Sequence, residues 1–148
     1  MFAIEQIMAC VPHRYPFLLI DRVLDYLPGK SVTTLKNVTI NEVQFQGHFP
    51  GRPVFPGVYI IENMAQSACF LLVKSAGRPD REMTYYLGRV LKMSFVKSVQ
   101  PGDQLVSEIT VVRTMEEKAL VSAVSMVGED LVAKGELMFG ATVAKEQE

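Results

Sequence analysis

The stretch from Val58 to Ser75 constrains this chain more than any other. At that length, with Gly77 and Pro79 behind it as a stop, it can only be a helix. Ile60, Ile61, Met64, Ala65, Ala68, Phe70, Leu71, Leu72 and Val73 make it apolar on nearly every face. Such a helix has to be enclosed rather than laid on a surface. A bilayer is an unsuitable enclosure, because Glu62, Asn63, Gln66 and Ser67 interrupt the run with a carboxylate, two amides and a hydroxyl. The walls therefore have to come from the chain itself.

The remaining sequence supplies them. Val23–Leu27 and Ser31–Ile40 read as strands joined by a Pro28-Gly29 turn, the second rich in Val, Thr and Ile. Beyond the helix, Met83–Arg89, Lys92–Val99, Gln104–Met115, Ala119–Val127 and Leu131–Val143 also read as strands. Their turns fall at Pro101-Gly102-Asp103, Glu116-Glu117-Lys118 and Gly128-Glu129-Asp130. In the last strand Leu131, Ala133, Gly135, Leu137 and Phe139 share one parity, while Lys134 and Glu136 point the other way. That pattern predicts a sheet with one packed and one wetter face, and the short turns predict antiparallel neighbours. The fold class is α+β, in a single domain over residues 1–148.

A formal charge of -1 gives no footprint for nucleic acid. Met1 to Cys10 contains Glu5 and lacks the basic start of a secretory leader, so the expectation is a soluble cytoplasmic protein. Ile4, Ile7 and Met8 have helical spacing in a short stretch that ends at Pro12. Cys10 and Cys69 read as buried small hydrophobes rather than a disulfide. Two cysteines and two histidines without close spacing make a metal site improbable.

Two features carry chemistry. From Gly47 to Gly57 three glycines and three prolines in eleven positions build an irregular, stiff loop that presents His48. Glu62 follows on the first turns of the enclosed helix, where an ionised carboxylate without a partner costs several kcal/mol. Taken alone, Glu62 reads equally well as a structural group bonded to Gln66 one turn on, or to an arginine across an interface. His48 alone is more often structural than catalytic. Together they make the kind of pair that general acid/base chemistry near neutral pH uses. Pro56-Gly57 adds a helix start whose free N–H groups and dipole can polarise a carbonyl, with no side chain in the way.

Pro12-His13-Arg14-Tyr15-Pro16-Phe17-Leu18-Leu19-Ile20-Asp21-Arg22, Gln46-Gly47-His48-Phe49-Pro50-Gly51-Arg52-Pro53-Val54, Pro56-Gly57-Val58 with Ile61-Glu62 and Met64-Ala65-Gln66, and Pro101-Gly102-Asp103-Gln104-Leu105 resemble 3-hydroxyacyl-[acyl-carrier-protein] dehydratases of the FabZ type. The resemblance covers nearly the whole chain. It implies a hot-dog fold, an antiparallel sheet wrapped around the long helix, with neither metal nor organic cofactor. It also implies a homodimer, three of which form a trimer of dimers, acting on an acyl chain carried by the phosphopantetheine arm of acyl carrier protein. His48 and Glu62 match the catalytic pair, which meets across the dimer interface. Gly57 matches the thioester carbonyl site, and Tyr86, Phe95, Phe49 and Val58 match the substrate tunnel and its gate.

The chain departs from this pattern after Phe95, where Val96, Lys97 and Ser98 replace an Arg, a further basic residue and Pro. It departs again at Asn63, usually Ala, and at Val90-Leu91, usually Ile-Asp. The implied reaction removes water to give a trans-2-enoyl thioester: His48 takes the C2 proton, and Glu62, protonated or through a water, gives one to the 3-hydroxyl. Two alternatives are a hot-dog thioesterase, in which a carboxylate activates water, and a non-catalytic acyl-chain binder.

Overall fold

A computed structural model describes residues 1–77 and 83–143. A short helix α1 (Ile4–Met8) opens the chain, followed by β1 (Arg22–Leu27), β2 (Ser31–Asn37), a 3-10 turn (Val43–Gln46) and the long helix α2 (Gly57–Ala76). Then come β3 (Met83–Phe95), β4 (Gln104–Met115), β5 (Lys118–Val127) and β6 (Asp130–Val143). The strands form one antiparallel sheet in the order β1-β2-β4-β5-β6-β3. Helix α2 packs on β2, β3, β4 and β5, which is the hot-dog arrangement of the α+β class.

Why the sheet curls around α2 follows from side-chain burial. Every residue from Asn63 to Leu72 is buried, so this part of the helix has no water face. The strands meet it with alternate residues: Val32 and Thr34 on β2, Leu105, Ser107 and Ile109 on β4, Ala119, Val121 and Ala123 on β5. On β6 Ala133, Leu137 and Phe139 are buried, as their shared parity predicts. Val132 is buried out of parity, beside a register shift between Ser125 and Met126. Gly77, with φ 60°, ends the helix in the left-handed conformation that costs glycine little. Pro79, the second expected stop, lies outside the described residues.

Three boundaries differ from the sequence reading. The two strands expected at Met83–Arg89 and Lys92–Val99 are one continuous strand, β3. Register shifts between Leu87 and Arg89 and between Leu91 and Ser94, with Lys92 at φ 52°, absorb the irregularity that looked like a break. The run then leaves the sheet at Phe95. Val99 turns inward instead, and its carbonyl accepts a 2.7 Å bond from the N–H of Phe55. Likewise β2 stops at Asn37, because the Asp21 carboxylate takes the Asn37 N–H at 2.6 Å and Val38 pairs with the Pro101-Gly102-Asp103 turn. The 3-10 turn was not anticipated.

The polar residues of the enclosed helix are all satisfied, and they tie distant segments together. Asn63 Nδ2 donates to the Leu19 carbonyl at 2.7 Å, and Asn63 Oδ1 accepts from Ser107 Oγ at 2.7 Å. Ser107 Oγ in turn lies 2.6 Å from Ser125 Oγ, and Ser67 Oγ lies 2.8 Å from Thr34 Oγ1. Asn63 therefore links the segment before β1 to β4 and β5 through the core.

Asn63→Ala should destabilise the fold by about 1–3 kcal/mol, since it strips partners from a buried carbonyl and a buried hydroxyl. The Ser107→Ala change should cost measurably less in the Asn63→Ala background than in the parent. Strictly additive losses in a denaturant double-mutant cycle would refute the coupling.

Candidate active site

The breaker-rich loop holds His48 by its own backbone. The His48 N–H donates to Gln44 O at 3.0 Å, and Val54 N–H returns to His48 O at 3.0 Å. Inside that ring of chain, the imidazole Nδ1 lies 2.6 Å from Val54 O. A carbonyl can only accept, so Nδ1 carries the hydrogen. In the neutral ring Nε2 then keeps its lone pair and can act as a base. The Phe49 ring stacks on the imidazole at 4.0 Å and is otherwise exposed.

Next to this imidazole the long helix begins. His48, Val54, Phe55, Gly57, Ile60, Phe95, Val96, Lys97 and Ser98 line one cavity of about 300 Å³. The Pro56 carbonyl accepts from Tyr59 N–H and Ile60 N–H, which starts the helical ladder one residue before Gly57. Among the described residues the Gly57 N–H has no acceptor, as expected of a first-turn donor. A Cβ at Gly57 would sit 3.2 Å from the Phe95 ring. Glycine therefore lets the helix start, the imidazole and an aromatic wall share a narrow space.

Glu62 lies elsewhere in the single chain. Five residues past Gly57, it is about 7.5 Å along the helix and about 140° around it. Its Oε1 accepts from Gln66 Nε2 at 2.9 Å and lies 3.2 Å from His13 Nε2. The Gln66 bond is the local contact that the i, i+4 spacing predicts for Glu62; the His13 contact has no counterpart in the sequence pattern. Burial pushes the Glu62 carboxyl up, but the hydrogen bonds from His13 and Gln66 and the charge of His13 outweigh it, holding the group below its ordinary value. Gln66 also grips the segment behind His13: its Oε1 accepts from Leu19 N–H and its Nε2 donates to Phe17 O, each at 2.7 Å. No sequence signal distinguished His13 from its neighbours except that it stood between two prolines.

The other candidates divide. Phe95 joins His48 and Gly57 in the cavity wall, whereas Val58 and Tyr86 are exposed, at 69% and 60%. Tyr86 lies on β3, which among the described residues pairs with β6 alone and also carries the exposed Leu87, Val90 and Phe95. Lys97, in the departing segment, holds an exposed 3.0 Å pair with Asp130. Cys69 is buried, with its thiol pushed up to about 12 by burial and by the nearby Cys10 and Glu62, so it is no nucleophile. Among the described residues no three His, Cys, Asp or Glu side chains gather as metal ligands, and no helix is long and apolar enough to cross a membrane.

Known proteins align with this architecture along most of its length. The family of FabA-like domains matches residues 11–139. A 3-hydroxyacyl-[acyl-carrier-protein] dehydratase FabZ of Vibrio cholerae is 47% identical over 134 residues, 90% of this chain and 88% of its own. The FabZ dehydratase of Cronobacter sakazakii is 44% identical over 135 residues, 91% and 89% of the two chains. Among solved structures, the dehydratase heterocomplex ApeI:P from Xenorhabdus doucetiae superposes with a TM-score of 0.77 at 16% identity, over 95% of this chain and 91% of that one. That last likeness concerns the fold.

The depressed Glu62 carboxyl has a consequence for stability. A group held below its unfolded value of about 4.3 stabilises the fold above that pH, and the contribution is lost as pH falls through the lower folded value. Glu62→Gln should therefore lose less stability than the parent on acidification from about pH 5 to pH 3. Parallel loss in both proteins, followed by denaturant midpoint, would contradict the assignment.

Proposed function

The chain belongs to the FabA-like family, among the 3-hydroxyacyl-[acyl-carrier-protein] dehydratases of the FabZ type, and we propose that His48 and Glu62 of two different protomers perform its hydro-lyase reaction. The substrate is a (3R)-3-hydroxyacyl thioester on acyl carrier protein, and the product is the trans-2-enoyl thioester used in fatty acid biosynthesis. One observation carries the residue assignment: an imidazole with its free nitrogen fixed as Nε2 shares a cavity with the unpaired N–H of Gly57.

With the thioester oxygen against the Gly57 N–H and the helix dipole, negative charge developing on that oxygen is stabilised and the C2 proton becomes more acidic. His48 Nε2 takes that proton. The C2–H electron pair becomes the C2–C3 double bond, the C3–O bond breaks, and the departing oxygen receives a proton from Glu62 to leave as water. The ionised Glu62 of the resting protein is then the form that stands at the end of dehydration and at the start of the reverse hydration. An entering acyl chain that displaces water deepens the burial which already pushes this carboxyl up, favouring its reloading with a proton.

The placement of Glu62, away from the cavity wall that holds His48, supports a site completed by a second protomer. The unpaired β3 edge with its exposed apolar side chains suits the same reading, since edges of this kind invite pairing. A homodimer, three of them as a trimer of dimers, and action in the cytoplasm on carrier-bound chains belong to this proposal. Phe95, Phe49, Val58 and Tyr86 then form the acyl tunnel and gate. Lys97, paired with Asp130 beside the cavity, takes the place of the basic residues that relatives of this type present after the phenylalanine.

His48→Ala and Glu62→Gln should each lower dehydration of a 3-hydroxyacyl carrier thioester by about 10²–10⁴-fold without unfolding the protein. Mixed after denaturation, the two inactive variants should regain part of the activity, because a heterodimer has one intact site. Full activity of either variant ends the residue assignment; no recovery despite verified subunit exchange places both groups in one chain. Release of free acid instead of enoyl product would favour a thioesterase. For the gate, Tyr86→Ala should change the rate ratio between long and short acyl chains while the reaction still depends on His48 and Glu62. An equal fall at all lengths with a lower melting temperature would make Tyr86 a packing residue.

A further inference from the structure

We infer that His13 is a positioning residue that, with Gln66, occupies Oε1 of Glu62 and so reserves Oε2 for the proton exchanged with the substrate hydroxyl. The inference rests on Glu62 being the acid/base group proposed above.

Both contacts fall on the same oxygen. Gln66 Nε2 reaches Oε1 at 2.9 Å and His13 Nε2 reaches it at 3.2 Å. A carboxylate gripped in this way by two donors has its torsion fixed and its two oxygens made unequal. A proton arriving on Glu62 is kept off Oε1, where it would face two N–H donors, and settles on Oε2. The Glu62 side chain remains 23% exposed, and no contact occupies Oε2 among the described residues.

The tautomer of His13 follows from burial. Its Nδ1 is buried and has no hydrogen-bond partner among the described residues. A hydrogen there would be an unpaired buried donor, at a cost of about 1–3 kcal/mol. In the neutral form of the ring the hydrogen therefore belongs on Nε2, directed at Glu62; a protonated ring also keeps its Nε2–H on Glu62. The ring is also held in place. Phe17 lies 6.1 Å away, centroid to centroid, and Arg14 Nη1 donates to the His13 carbonyl at 2.7 Å. Gln66, which shares Oε1, also anchors Phe17 O and Leu19 N. The segment carrying His13 and the turn carrying Glu62 are thus joined by one side chain. Among the described residues, Arg14 holds the His13 backbone, the Cys69 thiol feels the Glu62 charge, and Tyr59 packs edge-on against the same Phe17 ring.

Two variants separate this role from packing. His13→Phe keeps a ring against Phe17 and loses the donor. His13→Gln loses the ring but carries an amide Nε2 of similar reach. With a 3-hydroxyacyl carrier thioester as substrate, His13→Phe should lower kcat by at most about 10²-fold, the scale of a misplaced reacting group, and leave KM nearly unchanged. The limb of the kcat profile that belongs to Glu62 should move to higher pH, since the carboxylate has lost a stabilising donor. His13→Gln should recover much of kcat. Parent-like kcat and pH profile in His13→Phe, with Glu62→Gln inactive, overturns the positioning role and leaves the Glu62 assignment standing. Low activity in His13→Gln together with normal activity in His13→Phe also overturns it, by showing that the ring matters and the donor does not. A fully active Glu62→Gln removes both readings.

Discussion

A helix with no solvent face along Asn63–Leu72 sets the terms for everything around it. Burial of its apolar side chains curls the sheet, but its polar ones decide which segments must lie where. Each buried amide or hydroxyl on such a helix costs free energy unless it is paired, so its partners become fixed points of the fold. Asn63 fixes Leu19 and Ser107, Ser67 fixes Thr34, and Gln66 fixes Phe17 and Leu19. The stretch between α1 and β1 has no regular structure of its own, yet three hydrogen bonds from the helix hold it beside Glu62.

The loop from Gly47 to Gly57 solves a different problem. It must deliver an imidazole to the start of the helix without covering the N–H groups there. A backbone bond from the Val54 N–H to the His48 carbonyl closes the loop on itself, and the Val54 carbonyl fixes the tautomer of the ring. Gly57 and Phe95 then set the width of the space between them, because any Cβ at position 57 would press into the aromatic ring. Stiffness in the loop and smallness at the helix start are two parts of one arrangement: donor, imidazole and aromatic wall around one cavity, as the proposed reaction requires.

Much of this was legible in the sequence, and the illegible parts have physical reasons. The enclosed helix, the turns between β4, β5 and β6, and the alternation on those strands follow from local pattern, since apolar periodicity and turn residues report directly on burial. The single long β3 was hidden. A bulged edge strand carries Arg89 and Lys92 in positions that look like a break, and only its pairing with β6 shows it to be continuous. His48, Glu62 and Gly57 could be singled out because a stiff loop, a buried carboxylate and a helix start each leave a mark on the sequence. His13 could not, for its role depends on a contact between residues 49 positions apart (62 − 13) made possible by Gln66.

The geometry of α2 bears on the proposal that the protein functions as more than one chain. A helix enclosed on most sides has little surface on which to set several catalytic groups. Its N-terminal end is the one place where backbone donors are unpaired, and Gly57 uses it. A carboxylate on the same helix must either crowd that end or lie farther along and face another way. Glu62 takes the second course, and its face of the helix borders the His13 segment rather than the cavity. The proposed dimer would resolve the conflict, since one helix could then offer its N-terminus to one site and its carboxylate to another. The open edge of β3, next to that end of the fold and lined with Tyr86, Leu87, Val90 and Phe95, is the surface through which such a partner can approach. On this argument the proposed division of His48 and Glu62 between protomers would follow from burying the central helix.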